Sequence, residues 1–280
     1  MCITSMKTFQ LNNKSKIPVI GLGTYPMNNL ELIKVIRKSV KLGYRSFDTA
    51  TAYSNERFVG YGIKFSGVKR KELFISTKLS NAQQRSGEIE SALKDSLKRL
   101  KLDYVDLYLM HWPNPETYIE SWIKMEKLYK KGLAKAIGVC NFHKHHLEKL
   151  LEVASVIPAV NQIEVHPLLN QDELVSYCKS KGILVEAYTP LARMDNRLVS
   201  NETLIQIARK YDKKISQIVL RWDYQRGIVT IPKSNKVERL KDNINIFDFS
   251  LTEEEMIAIN NVNINLRLRH NPDNCDFTKL

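Results

Sequence analysis

The stretch Phe47-Asp48-Thr49-Ala50-Thr51-Ala52-Tyr53 decides how the rest of the chain is read. It follows Leu42-Gly43-Tyr44-Arg45-Ser46, where a helix end and a glycine turn lead into a short strand. Asp48 stands at the exit of that strand and Tyr53 one loop later. Alone, this is ordinary turn chemistry. It is set apart because the later strands also exit into polar residues able to do chemistry.

Toward the N-terminus, Thr8-Phe9-Gln10-Leu11 and Ile17-Pro18-Val19-Ile20 flank the polar Asn12-Asn13-Lys14-Ser15-Lys16. This predicts a short hairpin ending in Gly21-Leu22-Gly23-Thr24-Tyr25. The Gly-x-Gly is not a dinucleotide fingerprint, because position 26 is Pro and a hairpin does not open a parallel βαβ unit. Leu30, Ile33, Val35, Ile36 and Val40 keep helical spacing up to Gly43, and another helix starts near Ser54.

Toward the C-terminus the alternation continues. Apolar strands over 73–77, 105–110, 134–139, 159–164, 183–187 and 228–231 exit at or toward Lys78, His111, Asn141, His166, Tyr188 and Lys233. Helical patterns lie between them, such as the amphipathic Ile89, Leu93, Leu97 and Leu100. A short final strand is predicted over 246–249, then a helix from Thr252 with Glu253-Glu254-Glu255 at its positive end. Eight strands alternating with helices predict an α/β fold, a (β/α)8 TIM barrel preceded by a β-hairpin, in one domain spanning 1–280. The polar segment from Leu266 to Leu280 is expected to lie as a loop over the active-site face.

With 43% hydrophobic and 26% charged residues, the chain has apolar material for a core and is globular. No run of eighteen apolar residues occurs, and Met1 to Lys7 lacks the apolar stretch of a signal peptide, so a cytoplasmic protein with no membrane partner is expected. Cys2, Cys140, Cys178 and Cys275 lie far apart and read as reduced thiols. The group Cys140, His143, His145 and His146 sits where a helix begins, which favours solvated histidines over metal ligands. A net charge of +13 raises nucleic acid as a partner, but the lysines are scattered over every helix. A solvated surface that attracts anionic small molecules is the better reading.

On the rim where the strands of such a barrel end, the exits gather Asp48, Lys78, His111, Asn141, Gln162, Tyr188 and Lys233, with Tyr53 beside them. No serine–base pair, metal-ligand cluster or pair of strand-end carboxylates is among them. Asp48 near Lys78 would hold a buried ammonium, and that charge near Tyr53 would lower the phenol from its usual pKa of about 10. A Tyr so tuned donates a proton to a developing alkoxide, and His111 orients the same oxygen. The chemistry suits carbonyl reduction, with hydride from a nicotinamide.

With these residues in place, the sequence resembles the aldo-keto reductases, in their small-loop bacterial form, over essentially its whole length. The resemblance is carried by Gly43-Tyr44-Arg45, Asp48-Thr49-Ala50 with Tyr53, Thr77-Lys78-Leu79, His111-Trp112-Pro113, Gly138-Val139-Cys140-Asn141-Phe142, Asn161-Gln162, Ala187-Tyr188 and Ile231-Pro232-Lys233-Ser234. It implies a catalytic tetrad of Asp48, Tyr53, Lys78 and His111, with Tyr53 the general acid. It further implies that Cys140, Asn141 and Gln162 lie at the cofactor carboxamide, that Tyr188 stacks on the nicotinamide, and that Lys233, Ser234, Arg239 and Asn243 hold the adenosine phosphate. Two cations, Lys233 and Arg239, facing a 2′-phosphate favour NADPH over NADH.

Departures from the family pattern bear on the pocket. Cys140 stands where a Ser is usual, and Ser80 where many members carry a Trp. The connection Trp112 to Thr117 is short. His111 itself favours carbonyl over C=C reduction, for which relatives carry Glu. Tyr25 and Trp112, with Asn271 to Asn274, are candidates for the substrate wall. The leading expectation is an NADPH-dependent monomer reducing aldehydes or small ketones, including sugar-like and α-dicarbonyl compounds. The alternatives are a cofactor-sensing regulatory subunit, a barrel enzyme binding phosphate esters, and recruitment for bulk solubility.

Overall fold

The computed structural model describes residues 6–280, so Cys2 lies outside the described residues. The hairpin forms from β1 (Thr8–Gln10) and β2 (Lys16–Pro18), paired antiparallel. Eight parallel strands follow: β3 (Leu22–Gly23), β4 (Ser46–Asp48), β5 (Phe74–Leu79), β6 (Leu107–Met110), β7 (Ile137–Cys140), β8 (Val160–Glu164), β9 (Leu184–Tyr188) and β10 (Val229–Thr230). Each strand pairs with its sequence neighbour, in the order β3 to β10. The ring closes between its ends, where the Gly21 N–H donates to the Thr230 carbonyl at 2.8 Å and the Thr230 N–H to that of Val19 at 3.0 Å. The result is the (β/α)8 barrel that the alternation predicts.

Strands β4, β5, β6 and β7 are buried at every position, so both faces of the sheet are covered and the polar side chains of β4 and β5 must find partners inside the protein. Tyr108 and Met110 of β6 join the layer between sheet and helices, while Leu107 and Leu109 face the interior. At the barrel's N-terminal end, Leu11 and Ile17 of the hairpin pack with Phe74, Leu107, Ala136 and Ala159. The hairpin is therefore a plug. Its turn is held by Asn12 Nδ2 donating to the Pro158 carbonyl and Asn13 Nδ2 to that of Lys135.

One predicted strand is not formed. Among the described residues, 246–249 pair with no strand; instead the Ile246 carbonyl accepts from the Arg221 guanidinium at 3.0 Å. Phe247 and Phe249 rest against Tyr224 and Tyr211, so their apolar alternation reports packing on helices. The eighth barrel strand is β3, which the sequence presents as the end of the hairpin. Glycine is what admits it: a Cβ on Gly23 would lie 2.7 Å from the Ile231 carbonyl oxygen, and one on Gly21 would lie 2.9 Å from Ser46 Oγ. A chain with side chains there could not approach β10 closely enough to close the ring.

The helices over Leu30–Lys41, Glu56–Lys64, Ile89–Leu100, Tyr118–Lys130 and onward cover the sheet's outer face. Among the described residues no helix is long and apolar enough to cross a membrane. The C-terminal segment lies across the strand ends as expected. The buried Glu164 carboxylate accepts the Leu268 and Arg269 N–H groups at 2.8 and 3.0 Å, and the Asn81 amide and Arg85 guanidinium donate to the Phe277 carbonyl.

Candidate active site

Asp48 ends β4 and Lys78 lies one residue before the end of β5, so parallel pairing brings both to one rim. Both are buried, and Lys78 Nζ donates to Asp48 Oδ1 at 2.6 Å and to the Thr49 carbonyl at 2.9 Å. Ser76 Oγ and Gln162 Nε2 donate to Asp48 Oδ2 at 3.1 and 3.0 Å. Burial pulls the Lys78 pKa down, yet Asp48 and then Tyr53 outweigh it, so the net direction is upward and the ammonium stays charged. The buried ammonium expected from sequence is present.

Tyr53 closes a single helical turn (Thr51–Tyr53) above this pair, with Lys78 Nζ 5.0 Å from its ring centre. The turn is anchored by the buried Asn55, whose amide donates to the Thr24 hydroxyl and the Met27 carbonyl and accepts from the Thr49 hydroxyl. The expected fall in the Tyr53 pKa does not result. Burial pushes the phenol up to about 12; the Lys78 charge acts downward as foreseen but is the smaller effect. Tyr53 accordingly holds its proton at neutral pH.

His111 follows β6, its ring edge-on to Tyr53 at 5.7 Å between centres. Burial, then the Lys78 and Arg269 charges, push its pKa down to about 3, leaving a neutral imidazole. Asn141 follows β7 with φ 63°, in the left-handed region that Asn tolerates. Its amide donates to the His111 carbonyl at 3.0 Å and accepts the Tyr188 hydroxyl at 2.7 Å, which fixes the Tyr188 ring. Cys140 is buried in the barrel interior, and burial raises its thiol well above the usual range.

Gln162 has a partner that the sequence reading missed. Its Nε2 donates to Glu186 Oε2 at 2.6 Å as well as to Asp48, committing both amide hydrogens to carboxylates inside the barrel. Glu186 is buried in β9, and burial together with the Asp48 charge pushes its pKa up to about 7. The signal was a lone carboxylate in the apolar run Leu184-Val185-Glu186-Ala187. Glu164, which pins the C-terminal segment and contacts His166 Nε2 at 3.1 Å, was missed in the same way.

The remaining predicted residues gather at two places. Tyr25 lies against Tyr53 at 5.0 Å between ring centres, and Trp112 is edge-on to His270 at 6.2 Å. Lys233 and Ser234 precede the helix Val237–Ile244, Arg239 lies in its first turn and Asn243 in its last, and Ser234 Oγ accepts the Lys236 N–H at 3.1 Å. Lys233 and Arg239 are exposed and make no ion pair among the described residues, and the buried Asn243 amide makes no side-chain hydrogen bond there. Unpaired cations beside an unengaged amide suit a phosphate. At the rim, Gln162 keeps its carbonyl oxygen and Asn141 a second lone pair, acceptors that suit a carboxamide NH2. The residues present fit a nicotinamide dinucleotide.

The histidines are not uniformly solvated, contrary to expectation. His146 is buried, and its Nδ1 accepts the His143 N–H at 3.1 Å as a helix cap. Burial pushes it down to about 4, so the neutral ring carries its proton on Nε2, which faces His145 Nε2 at 3.2 Å. Asp273 completes the group, within 2.8 Å of His143 Nδ1. A hydrogen-bond chain thus ties the C-terminal segment to this helix.

Comparison with known proteins agrees with this geometry. Residues 19–264 match the model of the Aldo/keto reductase family. The chain is 49% identical to the glyoxal reductase of Bacillus subtilis (strain 168), covering 98% of this chain and 99% of that protein. It is 43% identical to the methylglyoxal reductase DkgA of Escherichia coli (strain K12), over 94% and 96% respectively. Among solved structures, the Bombyx mori aldo-keto reductase in complex with NADP superposes with a TM-score of 0.90 at 37% identity, covering 96% of this chain and 97% of that one. The chain belongs to the aldo/keto reductase family.

Proposed function

We propose that this oxidoreductase uses NADPH to reduce aldehydes and small ketones, α-dicarbonyl compounds foremost, to alcohols. The observation that carries the reading is the buried Lys78–Asp48 pair beneath a protonated Tyr53 and a neutral His111. The glyoxal and methylglyoxal reductases among its relatives support the substrate class. A small carbonyl compound handled by a monomer in the cytoplasm is part of the same proposal.

In this mechanism Asn141 and Gln162, with Cys140 beside them, would hold the carboxamide, Tyr188 would pack on the nicotinamide, and Lys233, Ser234, Arg239 and Asn243 would hold the adenosine phosphate. The cofactor, when bound, supplies hydride to the carbonyl carbon. Tyr53 gives its proton to the carbonyl oxygen as negative charge develops there; such general acids contribute about 10²- to 10⁴-fold. The Lys78 charge stabilises the phenolate left behind, and Asp48 keeps that ammonium in place. His111, being neutral, offers an N–H to the same oxygen and holds it toward Tyr53. Tyr25 and Trp112 form walls for the rest of the substrate.

The test is NADPH absorbance at 340 nm with a panel of aldehydes, ketones and α-dicarbonyls, repeated with NADH. Carbonyl-dependent oxidation, faster with NADPH, is expected. A flat trace with tight NADPH binding would overturn the proposal in favour of a cofactor-sensing subunit.

A further inference from the structure

Above the site, the C-terminal segment places a charge that the mechanism leaves unused. The backbone of Arg269 is fixed by its N–H bond to the buried Glu164 carboxylate. Its guanidinium, half-buried, lies over the Tyr25 ring at 5.8 Å, and Tyr25 in turn lies against Tyr53. Other half-buried or buried arginines are engaged: Arg70 with Asp106, Arg226 with Asp172, Arg221 with the Ile246 carbonyl and Ser250. Among the described residues the Arg269 guanidinium has no hydrogen-bond or carboxylate partner. The acids nearest the reacting groups are committed below, Asp48 to Lys78 and Glu186 to Gln162. Asp273 on the same segment is held by His143. The Arg269 charge is nonetheless felt in the site, since it helps depress the His111 pKa.

A partly desolvated guanidinium with a fixed backbone is a recogniser for a planar carboxylate, which it can take through two parallel N–H bonds. One guanidinium also balances one carboxylate charge, whereas a phosphate dianion would keep an excess. We propose that Arg269 determines specificity by selecting carbonyl substrates with a carboxylate beyond the Tyr25 ring, that is, aliphatic oxo acids in preference to neutral aldehydes of equal length. This rests on the reductase reading and names the substrate class that the site favours.

The experiment measures kcat/KM with NADPH for 4-oxobutanoate and for butanal, in the native enzyme, R269Q and R269K. The native enzyme should prefer the oxo acid by about tenfold or more, the scale of a charged hydrogen bond, and lose part of that preference in high salt. R269Q should lower the ratio of the two kcat/KM values by about tenfold, and R269K should recover part of it. A ratio unchanged between the native enzyme and R269Q would overturn the inference and leave the reductase reading standing. Failure of both compounds to consume NADPH would overturn the inference and the reductase reading together.

Discussion

Replacing Asp48 by Asn tests the physical heart of the site, because the Lys78 ammonium is fully buried and Asp48 is, among the described residues, its only charged partner within hydrogen-bond reach. The side chain keeps its shape, but the compensating charge disappears. Breaking a buried ion pair from one side costs about 3–5 kcal/mol, because the other charge is left in a poor solvent. In a chain of this size that lowers Tm by on the order of 10 °C. The loss must also depend on pH. In the native protein the Lys78 pKa is raised, so the pair's contribution is present below the unfolded value of 10.5 and fades only as pH rises through the folded value. In D48N the largest charge opposing burial is gone and Tyr53 keeps its proton, so burial drives the pKa below 10.5 and the variant is penalised at neutral pH and relieved as Lys78 loses its proton. The gap between native and D48N stability, from denaturant melts at pH 7 and pH 10, should therefore narrow at the higher pH. The double variant D48N/K78M should recover much of the stability and none of the reduction. Equal stability of D48N and the native protein at pH 7, or no gain in the double variant, would refute the reasoning.

Two other outcomes follow from charges with assigned partners. R239A should weaken NADPH by about tenfold or more and NADH far less, as measured by fluorescence titration; an equal loss would remove Arg239 from the 2′-phosphate. For Glu186, a pKa raised from its ordinary 4.5 to about 7 means that the folded state keeps a proton which the unfolded chain gives up. That cost, roughly 3 kcal/mol, is absent below pH 4.5 and complete above pH 7. E186Q should thus gain stability relative to the native protein as pH rises from 5 to 8, read from Tm at each pH.

The barrel was legible because parallel strands covered on both faces are buried along their length, as β4 to β8 are, so short largely apolar segments recur between helical patterns. The strand at β3 was not, since Leu22-Gly23 carries almost no side-chain signal and its placement depends on the close approach that glycine allows. Residues 246–249 misled for the opposite reason: two phenylalanines packed against helix aromatics imitate a strand's alternation. At the site, polar residues at strand exits were readable because the topology sends them to one rim. Glu186 and Glu164 lie within strands, where a sequence cannot tell an interior hydrogen-bond partner from an outward charge. The direction of the Tyr53 pKa was beyond the sequence too, because it turns on how burial weighs against one neighbouring ammonium. Arg269 acquires meaning only once the C-terminal segment is laid over Tyr25.

The most direct test of the central claim is Y53F, assayed for carbonyl-dependent oxidation of bound NADPH in a single turnover beside the native enzyme. The account predicts a rate lower by about 10²-fold or more, with NADPH affinity by fluorescence nearly unchanged, because only the proton donor is lost. Turnover retained in Y53F, with intact fold and cofactor binding, would contradict it.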